Sequence, residues 1–168
     1  MFKNEIILKM KNYFADDQKR IDHALNVTNY AEKLIKHCNK EINEEVIIYA
    51  AILHDIGIHE AERKYNSTAG KYQELEGPPI AKKILNDFPI TQKLISEICE
   101  IIAHHHSPGV INTINFKILY DADCLVNLPE EYNYKENKDK LDQIIDKLYL
   151  TECGSSLARK LFLGEQRK

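Results

Sequence analysis

His54 and Asp55 stand side by side directly after an apolar run, Val46 to Leu53. An imidazole and a carboxylate that enter an apolar interior are costly unless paired or bound to a cation. Neighbours on a helix diverge by about 100°, but at a helix end both can converge on one ion from different heights. His23 shares a stripe with Val27, Tyr30 and Leu34 at helical spacing, which points it inward. Asp123 lies on the face of Phe116, Leu119 and Tyr120 and points inward too. A buried carboxylate needs a cation or several donors. Two imidazoles and two carboxylates suit a borderline divalent ion such as Mn, Fe, Co, Ni or Zn. They also leave coordination positions open for chemistry. The plainer alternative is a helix-ending His with a capping Asp, beside a core His satisfied by its own neighbours.

His104-His105-His106 closes another stripe, that of Ile98, Ile101 and Ile102. His105 follows Ile101 by four and Ile102 by three, so it faces the core best. His104 follows Ile101 by three and comes second. His106 is nearest the Ser107-Pro108-Gly109 break and meets solvent or substrate. After the His-Asp pair, Arg63, Lys64, Lys71 and Tyr72 lie in a polar stretch with Ser67, Thr68 and Gly70. This stretch reads as a mobile loop over the site, with Lys64, Lys71 and Tyr72 as candidate anion-holding groups. An ordinary charged surface loop is the alternative. Arg20, one turn before His23, can reach an anion, and Glu60 can act as acid or base through a water. The sequence has no Gly-rich phosphate loop, no nucleophile elbow and no deaminase-type Cys pair.

The elements that must position these groups are helical. Ile21, Ala24, Leu25, Thr28, Ala31, Leu34, Ile35 and Cys38 recur at steps of three and four, as do Ile47, Ala50, Ala51 and His54. Further stripes run from Ile90 to Ile102, from Phe116 to Asp123 and from Leu141 to Tyr149. Gly57 is placed to end the helix before it. Pro78-Pro79 suits a loop and the first turn of the helix of Ile84, Leu85 and Phe88. Asn39 to Glu44 reads as a break and Asn127 to Asn137, with Pro129, as a loop. No strand alternation of useful length occurs. The expectation is one all-α domain over 1–168, with roughly six or seven helices.

Composition bounds the rest. Apolar residues make up 43% and charged residues 29% of 168, which fits a globular chain. A net charge of −3 offers no broad attraction to nucleic acid or anionic membranes. No apolar run is long enough to span a bilayer, and Lys3, Glu5 and Lys9 break up the first ten residues, unlike a signal peptide. Cys38, Cys99, Cys124 and Cys153 are widely spaced with no CxxC pair, which predicts reduced, mostly buried thiols and a cytoplasmic location.

Arg20-Ile-Asp-His23, His54-Asp55 and Asp121-Ala-Asp123 together resemble the H…HD…D signature of the HD-domain superfamily of metal-dependent phosphohydrolases. The resemblance covers roughly 20–127, with a helical extension over 138–168, and implies a single helical bundle. It implies His23, His54, Asp55 and Asp123 as metal ligands. Some members hold a second ion with a His in a segment resembling H-G-x-x-x-A. Here Glu76-Gly77-Pro78-Pro79-Ile80-Ala81 stands in that place, making Glu76 a candidate ligand beside His104 or His105. The implied reaction is hydrolysis of a phosphate ester, a nucleotide or related small phosphate, by water activated on the metal. Asp55 would orient that water, with Lys64 and Glu60 as further catalytic candidates. Two other functions stay open: a di-iron oxygenase on the same scaffold, and a non-catalytic module that binds a nucleotide or a protein. The C-terminal stripes, Leu141 to Leu150 and Leu157 to Leu163, would pack on this domain or on a second copy, forming a homodimer.

Overall fold

Eight consecutive residues, Val46 to Leu53, are buried, and the helix that carries them is the centre of the molecule. The computed structural model describes residues 1–38, 40–131 and 138–164, with nine helices and no strand among them. They are α1 (Lys3–Phe14), α2 (Gln18–His37), α3 (Glu44–Leu53), α4 (Ile58–Tyr65) and α5 (Gly70–Leu85). α6 (Gln92–Ile102), α7 (Ile114–Glu131), α8 (Lys138–Leu148) and α9 (Glu152–Phe162) follow. Asn43 starts the central helix α3, its Oδ1 accepting the Val46 N–H at 3.2 Å. Because α3 is apolar all round, it needs neighbours on every side. It finds α1, α2, α6 and α7, while α5 packs on α4 and α6. No described helix is long and apolar enough to cross a membrane.

α2 and α7 also pack along each other, which brings His23 and Asp123 into register. Asp121 and Asp123 are two residues apart, so they leave α7 about 200° apart. Asp123 faces His23, whereas Asp121 is fully buried on the other side, against the start of α9. There it accepts the Leu150 N–H at 2.7 Å, the Thr151 N–H at 2.9 Å and the Thr151 hydroxyl at 2.5 Å. Burial pushes the Asp121 carboxyl up to about 6, although these donors oppose it. The C-terminal stripe thus packs on this chain through α9 against α7 and α2.

Several local expectations change. Pro78-Pro79 lies inside α5, not at a helix start. Each proline removes one helical N–H, and packing of α5 between α4 and α6 holds the helix nonetheless. Asn127 to Glu131, expected as loop, continue α7 with Pro129 inside it; positions 132–137 lie outside the described residues. Gly57 does not cap α3 in a left-handed conformation; its φ is −77° and it leads into α4. What Gly57 permits is close approach, because a Cβ there would lie 2.5 Å from the Gln73 carbonyl oxygen and 2.5 Å from the Gly77 nitrogen. The stretch read as a mobile loop is mostly α4 and α5, joined by Asn66 to Ala69. Its polarity is that of a short amphipathic helix burying Ile58 and Ala61. Of the four thiols, Cys124 is buried and the other three are half-buried.

Candidate metal centre

His54 and Asp55 sit on the turn that joins α3 to α4. The His54 Nδ1 lies 2.9 Å from the Ala51 carbonyl oxygen, which makes it the N–H donor. A neutral imidazole then carries its lone pair on Nε2. That Nε2 is 3.2 Å from His23 Nε2, 3.5 Å from Asp55 Oδ2 and 3.7 Å from Asp123 Oδ1. His23 Nε2 in turn is 3.5 Å from Asp55 Oδ2 and 3.1 Å from Asp123 Oδ1. Ligands held about 2.1 Å from one ion lie roughly 3.0–3.4 Å from each other. His23 and His54 therefore stand at nearly that spacing from each other and from both carboxylates, and His23, His54 and Asp55 form one group able to hold an ion. The backbone carbonyl behind His54 fixes its tautomer and orientation, as partners of metal-bound histidines do.

Asp55 has a second side. Its Oδ1 is 3.3 Å from His105 Nε2, while His105 Nδ1 is 2.8 Å from the Ile102 carbonyl oxygen, repeating the arrangement at His54. Asp55, His105 and His106 form a second group able to hold an ion, sharing Asp55 with the group of His23 and His54. The His106 ring lies 4.0 Å from that of His105 between centroids. It fits because Gly70 has no side chain; a Cβ there would lie 2.7 Å from the imidazole. Glu74 holds the same turn, accepting the His106 N–H at 3.0 Å and the Ser107 hydroxyl at 3.1 Å.

Electrostatics favour a cation. Burial works to raise the Asp55 carboxyl, but His54, His105 and His23 outweigh it and hold it well below the usual carboxylate range. Burial likewise opposes ionisation of Asp123, and the hydrogen bond to His23, then the charge of His54, keep its carboxyl low. Burial holds the His54 imidazole down against the pull of Asp55 and Asp123. His105 is raised, because its hydrogen bond to Asp55 and that residue's charge overcome burial. The site therefore keeps two carboxylates and at least one neutral imidazole ready for an ion.

The cluster opens into a cleft of about 490 Å³. Arg20, His23, Asp55, His106 and Asp123 line it, as the sequence suggested. Arg20 is already engaged: its Nη1 is 2.7 Å from Asp17 and its Nη2 2.8 Å from Glu62. Six candidates outside the two ligand groups, Lys64 among them, do not line the cleft. Glu76 has both oxygens taken, by Lys64 Nζ at 2.5 Å and the Tyr65 hydroxyl at 2.9 Å. Glu60 binds Arg63 at 2.7 Å. Tyr72 stacks on Tyr65 at 4.1 Å, and Lys71 lies over the Tyr72 ring. His104 is half-buried in the turn and belongs to neither ligand group. Lys19, Asn26, Thr68, Gln73 and Asn127 line the cleft without having been singled out from the sequence. Lys19 and Asn26 were findable, being four before and three after His23 on one helix face. So was Asn127, four after Asp123, whose carboxylate accepts its amide N–H at 3.0 Å.

A helical bundle that gathers two histidines and two aspartates from α2, the α3–α4 turn and α7 defines a helical protein with a divalent-metal-type site. Residues 20–148 match the HD domain family. The match spans most of the chain, which therefore belongs to the HD domain family, within the superfamily of metal-dependent phosphohydrolases. No curated protein and no solved structure matches it.

Proposed function

We propose that this chain hydrolyses a phosphate ester, a nucleotide or a related small phosphate, in the cleft above His23, His54, Asp55 and Asp123. The observation that carries the reading is the spacing of His23 and His54 from each other and from the two carboxylates, 3.1–3.7 Å, at the floor of an open cleft. They would hold one divalent ion, and Asp55 with His105 and His106 a second. Such ions, when bound, neutralise charge on phosphoryl oxygens and acidify a water. The chain's own residues then have distinct tasks. Asp55 turns Oδ2 toward His23 and His54 and Oδ1 toward His105, so one carboxylate ties the two groups together. The carbonyls of Ala51 and Ile102 keep the His54 and His105 lone pairs aimed at the cleft floor. Arg20, fixed by Asp17 and Glu62, contributes a stationary positive charge, and Lys19 an exposed one at the rim. Lys64 and Glu60 are engaged elsewhere and have no part in this reading.

Metal analysis of protein purified without chelator, combined with a phosphate-ester panel, tests the proposal. We expect bound divalent metal and turnover, and both should be lost in His54→Ala while the circular dichroism of the helices is kept. Full metal occupancy with no turnover on the panel would refute it. Oxygen uptake by the iron-loaded protein would favour the oxygenase reading, which the shared Asp55 permits.

A further inference from the structure

Gln73, one of the residues that line the cleft, carries a buried polar atom that no described residue satisfies. Gln73 is 6% exposed, and its Nε2 donates to the Thr68 carbonyl at 2.6 Å. That bond decides which end of the amide is which. Its Oε1 is buried and accepts no hydrogen bond from any described residue. A buried acceptor without a donor is rare in native proteins, since it has lost water and gained nothing. The backbone of Gln73 packs closely on Gly57, where a Cβ would lie 2.5 Å from its carbonyl oxygen. It borders the same cleft as Thr68, His106 and Asp55.

The rest of the wall suits a polar ligand. Ile58 and Val126 are its apolar members, and no Phe, Tyr or Trp lines it among the described residues. The part of a ligand beyond its phosphate thus meets amides, a hydroxyl and imidazoles, with no aromatic stacking face. A cationic amine would be drawn to the carboxylates of the cleft, Asp22 among them. A neutral carboxamide acceptor is matched by a hydroxyl.

Resting on the hydrolase reading above, we infer that Gln73 is a specificity-determining residue. Its Oε1 accepts a hydrogen bond from a hydroxyl on the alcohol portion of the substrate. The substrate is then a phosphate ester of a polyhydroxylated alcohol, with a sugar ring as the recognised feature.

The test uses the metal-loaded full chain and pairs of sugar phosphates that differ by one hydroxyl. The ratio of kcat/KM within each pair is the readout, so a general loss of activity cancels. Wild type should favour at least one hydroxylated partner by about 10- to 100-fold. Gln73→Met, which keeps the volume and removes the acceptor, should bring that ratio close to one. Gln73→Glu, which keeps the acceptor and loses the bond to Thr68, should retain the preference. Indifference of wild type to every deleted hydroxyl overturns the inference, and that measurement stands even if Gln73→Met fails to fold. A Gln73→Met enzyme with the wild-type ratio overturns it as well. A metal-loaded wild type that hydrolyses no ester at all fails earlier, on the hydrolase reading itself.

Discussion

Replacing Gly57 with alanine probes how α5 is held against the candidate metal centre. With φ at −77° an alanine is conformationally allowed at this position, so the cost is steric alone. The new Cβ would lie 2.5 Å from the Gln73 oxygen, 2.5 Å from the Gly77 nitrogen and 2.9 Å from the Gly77 Cα. All three are backbone atoms of α5, and no rotamer change relieves them. Ordinary contact requires α5 to retreat by about 1 Å. Overpacking of this kind costs about 1–3 kcal/mol. In a chain of this length each kcal/mol shifts Tm by about 2–4 °C. Thermal denaturation should therefore show a fall of roughly 2–12 °C. The retreat also carries Gln73 and the Glu74 carboxylate with it, and displacement by about 1 Å can lower turnover about 100-fold. Gly77→Ala is the control. Its Cβ meets a single side-chain methyl, Ile102 Cγ2, at 2.7 Å, with the next atoms at 3.8 and 3.9 Å. Alanine also gains about 0.5–1 kcal/mol over glycine within a helix. Gly77→Ala should thus be the milder change. A Gly57→Ala protein that melts with wild type, or that is more stable than Gly77→Ala, would refute the close-approach argument.

Two further outcomes follow from the charged groups. Lys64, then Tyr65, hold the Glu76 carboxyl below its ordinary 4.5, although partial burial opposes them. A lowered folded value means that the contribution to stability is present above about pH 4.5 and is lost as pH falls through the folded value. Glu76→Gln should therefore differ from wild type in Tm at neutral pH and converge with it on acidification; a Tm difference independent of pH would count against the ion pair. Asp121→Ala strands two backbone N–H groups and the Thr151 hydroxyl, and should cost about 2–4 kcal/mol in urea unfolding. An unchanged urea midpoint would show that α9 does not depend on this carboxylate.

Much of the bundle was legible because burial repeats with the helical period. The stripes of α2, α6 and α7 point His23, His105 and Asp123 inward, and these residues do face the cleft or the core. The elements that were misread are those where packing overrides local preference. Pro78, Pro79 and Pro129 are strong breakers by intrinsic propensity, yet α5 and α7 run through them. α4 was invisible because eight residues with two buried positions carry too little periodic signal. The Lys64–Glu76 pair joins two helices and appears at no fixed sequence spacing. Glu76 was placed near the metal by its position in a motif, whereas in the folded chain its two oxygens turn toward α4. Gln73 gave no sign in the sequence, because a single glutamine in a polar run looks like solvent-facing surface.

α5 shows why such residues matter. Within five positions it gives Gln73 to the cleft wall, Glu74 to the turn of His106, Glu76 to Lys64 and Tyr65 of α4, and Gly77 to the contact with Gly57. Successive side chains leave a helix about 100° apart, so one short segment can serve four neighbours at once. The placement of the candidate ligands sets where an ion would lie; the helix beside them sets what approaches it. A substitution on the inner face of α5 should consequently alter discrimination between substrates more than metal content. The candidate ligands come from α2, the α3–α4 turn and α7, so a changed α5 side chain replaces none of them. In the proposed reading this division of labour is physical: metal affinity rests on the candidate His and Asp donors, whereas selectivity rests on the polar atoms that line the space above them.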